Sequence, residues 1–86
     1  DMAVLEVFVH GGCLSEQLAL TLAQEIQQEF SGLKVEVHQV AEERAQILGI
    51  IAAPAFVLDG QILAVGVPSR EWLARRLRAR NLQTNG

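Results

Sequence analysis

The apolar positions along the chain change period several times, and each change marks an element. Val4-Leu5-Glu6-Val7-Phe8-Val9 is β-branched and nearly all apolar, as for a central strand covered on both faces. Gly11-Gly12 breaks it. From Leu14 to Phe30 the apolar residues Leu14, Leu18, Leu22, Ile26 and Phe30 recur every four positions, with Ala19 and Ala23 widening the face. Gln17, Gln24, Gln27, Gln28 and Glu29 fall largely elsewhere, so the run predicts an amphipathic helix ended by Ser31-Gly32. Leu33 to His38 alternates apolar and polar residues and predicts a strand with one solvated face or at an edge.

Ala41 to Leu48 reads as a short helix, with Ala45 and Leu48 or Ile47 turned inward and Gly49 as its C-terminal cap. Ile50 to Ala53 leads into Pro54. Ala55-Phe56-Val57-Leu58 and Gln61-Ile62-Leu63-Ala64-Val65 flank Asp59-Gly60, a strong hairpin signal. Gly66-Val67-Pro68 stops the second strand, and Ser69 caps a final helix with Trp72, Leu73 and Leu77 inward. Asn81 to Gly86 has no periodic pattern and predicts a frayed tail. The order is β-α-β-α-β-β-α. The first strand-helix-strand unit predicts a right-handed parallel crossover, and the hairpin completes a four-stranded mixed sheet with helices on both faces. The fold class is α/β.

Length and composition narrow this further. At 86 residues, half of them apolar, residues 1–86 form a single domain with one core. No apolar run is long enough to span a bilayer and no signal pattern opens the chain, so the expected location is cytoplasmic. Asp1 before Met2 marks Met2 as the natural start and Asp1 as an added residue. A net charge of −3 argues against nucleic-acid partners, and no membrane partner is expected. Eight of the ten acidic residues fall in 1–43, whereas all six arginines fall in 44–86, mostly on the last helix. Those arginines read as a solvated face that complements the helix dipole, or as a docking surface for an acidic partner.

The chemistry concentrates at His10-Gly11-Gly12-Cys13-Leu14-Ser15-Glu16. Cys13 is the only cysteine, so the chain has no internal disulfide. It stands where a strand hands over to a helix N-terminus, and there unpaired backbone N–H groups and the helix dipole favour a thiolate. Gly11 and Gly12 leave those amides accessible to an anionic sulfur. Glu16, in the first turn, pulls the other way because its negative charge disfavours a neighbouring thiolate. A protonated Glu16 could instead pass a proton to a leaving thiolate. His10, Cys13, Glu16 and His38 are metal-donor types, but they lack the paired spacing of a zinc site. Both histidines read as solvated, and neither a metal nor another cofactor is expected.

The element order, the cysteine after the first strand and the proline opening the third strand resemble the thioredoxin/glutaredoxin superfamily, in particular its small minimal thioredoxins. Those members carry Gly-Cys-x-x-Cys and later Thr-Pro-Ala-Leu-Val-x-Asp-Gly-Lys-Val-x-x-x-Gly-x-x-Pro-Ser. The matching segment here runs Ala53-Pro54-Ala55-Phe56-Val57-Leu58-Asp59-Gly60 and on to Gly66-Val67-Pro68-Ser69. The resemblance implies a cis Ala53–Pro54 bond beside Cys13 and a substrate groove shaped by Gly12, Ala53 and Pro54, with the Ala53 main chain pairing to an extended thiol substrate. It also implies that the resolving cysteine would stand where Glu16 stands. The acidic pair by which glutaredoxins bind glutathione is absent, which also weakens a cluster shared between two chains as in monothiol glutaredoxins.

Two readings follow. In the first, Cys13 forms a mixed disulfide with a protein or small-molecule thiol or disulfide, and an external thiol resolves it, with Cys13 and Glu16 as the catalytic residues. In the second, the domain is a binding module that keeps the groove without turnover. A monomer is expected, with a Cys13-linked dimer as the alternative.

Overall fold

The computed structural model describes residues 2–85, so the expectations for Asp1 and Gly86 lie outside the described residues. The elements are β1 (Ala3–Val9), α1 (Leu14–Glu29), β2 (Leu33–Gln39), α2 (Glu43–Leu48), β3 (Ala55–Leu58), β4 (Gln61–Val65) and α3 (Arg70–Arg78). They build one four-stranded sheet in the order β2-β1-β3-β4. β1 pairs parallel to β2, and the other two pairings are antiparallel. This is the mixed α/β sheet that the pattern predicts.

β1 is central because both its faces are covered. Leu5, Val7 and Val9 pack with Ala19, Leu22, Ala23 and Ile26 of α1 and with Leu73, Ala74 and Leu77 of α3. Phe8 points into a smaller core with Ala45 of α2, Ile50, Ala55 and Val57. Full burial of each large aliphatic or aromatic side chain contributes about 1.5–3 kcal/mol, so these two clusters supply most of the driving force.

The buried face of α1 differs from the predicted one. Leu14 and Leu18 are 80% and 56% exposed, whereas Ala19, Leu22, Ala23 and Ile26 are buried. The reason is geometric: a series spaced strictly by four advances about 40° per step around a helix with 3.6 residues per turn, so its ends diverge. A fixed core-facing stripe needs mixed spacings of three and four. Phe30, predicted as the last helical residue, is instead the buried C-cap. Gln27 is turned to the sheet: its Nε2 donates to the Leu33 carbonyl at 2.6 Å and its Oε1 accepts from Val35 N–H at 2.8 Å.

α2 begins at Glu43 rather than Ala41, with Ala45 buried, Leu48 half-buried and Ile47 exposed. Its C-cap Gly49 has φ 74°, a left-handed conformation that glycine adopts without penalty. Asp59 and Gly60 both have positive φ, as a two-residue hairpin turn requires. Asp59 also ties the hairpin to β1: its N–H donates to the Val4 carbonyl and its Oδ1 accepts from Val4 N–H, each at 2.9 Å.

Ser69 Oγ accepts from Trp72 N–H at 3.1 Å, which starts α3 as predicted. Trp72 is only half-buried and carries the Arg76 guanidinium 4.7 Å above its ring. Two other arginines are engaged by one carboxylate, since Arg70 and Arg78 donate to Glu29 at 2.9 and 2.6 Å. The predicted frayed tail is docked through residue 85. Gly32 N–H donates to the Gln83 carbonyl at 3.1 Å, Asn85 N–H donates to the Glu29 carbonyl at 2.8 Å, and Leu82 packs on the main core.

Candidate thiol site

Cys13 is the N-cap of α1, with φ −94° and ψ 151° and no side-chain capping bond of its own. Its thiol is exposed. Placing it there requires the chain to turn sharply out of β1, and Gly12 does this at φ +85°. Glu16, three residues on, reaches back, so that Gly12 N–H donates to its Oε1 at 3.0 Å. In a capping box an acidic residue at the third helical position closes back on the N-cap amide; here it takes the amide one residue earlier. One of the amides that the sequence leaves open to an anionic sulfur, that of Gly12, is thus taken by Glu16.

His10 has the sequence context of a solvated strand-end residue. It is exposed, as expected, and its ring is also folded toward the thiol, with Nδ1 at 3.6 Å from Cys13 Sγ. That is hydrogen-bonding range for sulfur, and an imidazole so placed can accept the thiol proton or pair with a thiolate. The three-residue spacing across Gly11-Gly12 is the signal the sequence offers for this pair. The loop conformation that closes it cannot be read from spacing.

The register sets the rest of the site. Phe8 pairs with Ala55, so the exit of β1 and the entry of β3 meet at one end of the sheet. The Ala53–Pro54 bond at that entry is cis, Pro54 is buried and Ala53 is half-buried. The Pro54 carbonyl accepts from Gly66 N–H at 2.7 Å, which joins the proline segment to the end of β4. Gly12 and Cys13 therefore lie at the turn into α1, Glu16 lies in its first turn, and Ala53 and Pro54 lie at the same sheet end. His38 is elsewhere.

His38 lies on β2 in a charged cluster on the sheet face opposite α1, and it stacks on Phe8 at 5.0 Å between ring centroids. Its neighbours include Glu6, a buried acidic residue whose carboxylate is gripped by Arg44 through Nε at 2.8 Å and Nη2 at 2.9 Å. That fork holds the Glu6 carboxyl below its ordinary range, against the opposing effect of burial. Glu42 is held low as well, first by the Gln39 N–H that donates to it at 2.6 Å and then by His38.

The order of elements, the parallel-then-antiparallel sheet and a cysteine at the first helix N-cap define the thioredoxin fold. Solved structures agree. A mutant thioredoxin from Halobacterium salinarum superposes with a TM-score of 0.78 at 21% identity, covering 92% of this chain and 74% of that one. A chain from work on the thiol resolving mechanism in yeast mitochondrial 1-Cys peroxiredoxin via glutathione/thioredoxin systems gives 0.76 at 19% identity, covering 92% and 79%. No family model matches. Two curated relatives, each named a probable thioredoxin, align over 73 residues, or 80% of this chain and 85% of theirs. The one from Methanothermobacter thermautotrophicus is 36% identical and the one from Methanothermobacter marburgensis is 34% identical. The chain belongs to the thioredoxin family.

Proposed function

We propose that this protein exchanges thiols and disulfides through Cys13 alone. The observation that carries the reading is the exposed Cys13 Sγ 3.6 Å from His10 Nδ1, at a helix N-cap in a member of the thioredoxin family. In the first step the Cys13 proton passes to His10 and the sulfur attacks one sulfur of a substrate disulfide. The substrate S–S bond breaks, a Cys13–substrate disulfide forms, and the departing thiolate takes the proton back from His10. An external thiolate then attacks the substrate sulfur of that mixed disulfide and releases Cys13. The net change is exchange of one thiol for another in a disulfide, and no electron acceptor is consumed.

Glu16 supports this loop rather than reducing anything, because a carboxylate cannot form the intramolecular disulfide that would expel the substrate. Ala53 and Pro54, at the same sheet end, supply the main-chain edge against which an extended substrate lies. The partner is a protein or small-molecule disulfide together with a free thiol.

The test is catalysed exchange between hydroxyethyl disulfide and reduced glutathione, followed with a trapped mixed disulfide by mass spectrometry. The wild type should exceed the uncatalysed rate, Cys13→Ser should fall to it, and His10→Ala should lose about tenfold or more. A folded wild type that only matches the uncatalysed rate would overturn the proposal and leave the binding-module reading.

A further inference from the structure

We propose that Glu6, Glu36 and His38 form a binding site for a divalent transition-metal ion of the zinc type, independent of the Cys13 chemistry. Among the described residues these three bring one ligand atom each to within 4.8 Å of one another. The sheet itself assembles them: Glu6 of β1 and Glu36 of β2 are direct partners in the parallel register, and His38 follows Glu36 by two residues on the same face. Two carboxylates set opposite each other across a strand pair repel, and a cation between them would relieve that repulsion.

The imidazole is oriented as a metal ligand would be. Its Nδ1 lies 3.3 Å from Glu42 Oε1, and donation there leaves the Nε2 lone pair as the free one. A carboxylate behind the ring is the usual partner of a metal-bound histidine. Nε2 is itself buried and, although two carboxylate oxygens lie near it, has no hydrogen-bond partner. Those oxygens, Glu6 Oε2 at 3.1 Å and Glu36 Oε1 at 3.4 Å, flank Nε2 instead. Ligands around a tetrahedral ion with bonds of about 2.0–2.1 Å are about 3.3 Å apart, so the separations suit an ion bound along the lone-pair direction.

The remaining charges fit the same reading. Arg44 fixes the Glu6 carboxylate through both oxygens, and Lys34 Nζ sits 3.2 Å from Glu36 Oε2, leaving Glu36 Oε1 toward the histidine. The carboxylates of Glu6, Glu36 and Glu42 still outnumber these two cations. A cleft of about 520 Å³, lined also by Glu42, Arg44 and Asp59, opens the cluster to solvent and leaves room for a water as fourth ligand. One imidazole with two carboxylates selects zinc-like ions over magnesium or calcium, which take oxygen ligands alone.

The test titrates Zn²⁺ into the full chain carrying Cys13→Ser, which removes the one thiol ligand, against a chromophoric chelator. One ion per chain should bind, Glu36→Gln should weaken it at least tenfold, and His10→Ala should leave it unchanged. Glu36 is half-exposed and glutamine has its shape, so this variant keeps the fold even if His38→Ala does not. Binding should also shift the His38 imidazole resonances and raise the thermal midpoint, and Co²⁺ should give d–d bands without a thiolate charge-transfer band. Loss of binding in Cys13→Ser, unchanged affinity in Glu36→Gln, or unmoved His38 resonances under saturating Zn²⁺ would each overturn the proposal.

Discussion

Two histidines in this small domain have opposite surroundings. His10 belongs to a glycine-rich loop and touches an exposed thiol at 3.6 Å. His38 stands on a strand, stacked on Phe8, and is faced by Glu6, Glu36 and Glu42. The first arrangement can move to follow a substrate sulfur; the second is fixed by the register of two strands. Chemistry that must meet a changing partner sits on the loop, and a geometry that must not change sits on the sheet.

The sharpest way to break this contrast is Arg44→Met. It leaves the buried Glu6 carboxylate without its guanidinium and so destabilises the fold, by less than a fully buried pair would lose because the Arg44 side chain is 44% exposed. Denaturant unfolding in the presence of a chelator should show that loss, while exchange through Cys13 in the folded variant should stay near the wild-type rate. The pH dependence follows from the depressed Glu6 carboxyl. Its stabilisation is present above the unfolded carboxylate range and is lost as pH falls through the lower folded value, because the unfolded state binds the proton first. Arg44→Met should therefore lose less stability on acidification than the wild type does.

On the loop side, Glu16→Cys should gain the ability to reduce protein disulfides such as those of insulin by an intramolecular second step. Failure with an intact fold would mean that the scaffold lacks more than a resolving thiol. A smaller effect is expected for Glu16→Gln, whose side-chain oxygen can still accept from Gly12 N–H. Its Cys13 should alkylate a few-fold faster at fixed pH, once the negative charge is gone. An unchanged rate would sink the like-charge argument.

The contrast over the shortest distance lies within α1. Leu22→Ala should cost about 2–5 kcal/mol, whereas Leu18→Gln, one turn away on the predicted stripe, should stay within about 0.5 kcal/mol. Equal losses would restore the four-residue stripe.

That pair also shows what is legible in the chain. Element order, the Asp59-Gly60 hairpin, the Ser69 cap and Cys13 at a helix start are local signals, written in neighbouring residues, and the fold carries them unchanged. The inward face of α1 departs from its pattern because a stripe of leucines does not say how the helix is rotated on the sheet. The pairing of Glu6 with Arg44 joins residues far apart in sequence, and only the register and the seating of α2 bring them together. His38 alternates with apolar neighbours as a solvated residue would. What sets it apart is three carboxylates drawn from two strands and a loop, which no local pattern announces.

The two hydrogen bonds between Gln27 and β2 have a consequence for how copies of this chain behave toward each other. β2 is a terminal strand, and an open row of backbone donors and acceptors invites another strand to join it. Here the Leu33 carbonyl and Val35 N–H are held by Gln27, and Gln39 N–H is held by Glu42. At the opposite margin, the pairing of β4 with β3 shifts register between Phe56 and Val57, an irregularity that spoils a flat template. A crowded solution of this protein should therefore resist growing ribbons from its sheet margins, and the side-chain amide of one glutamine accounts for much of that restraint.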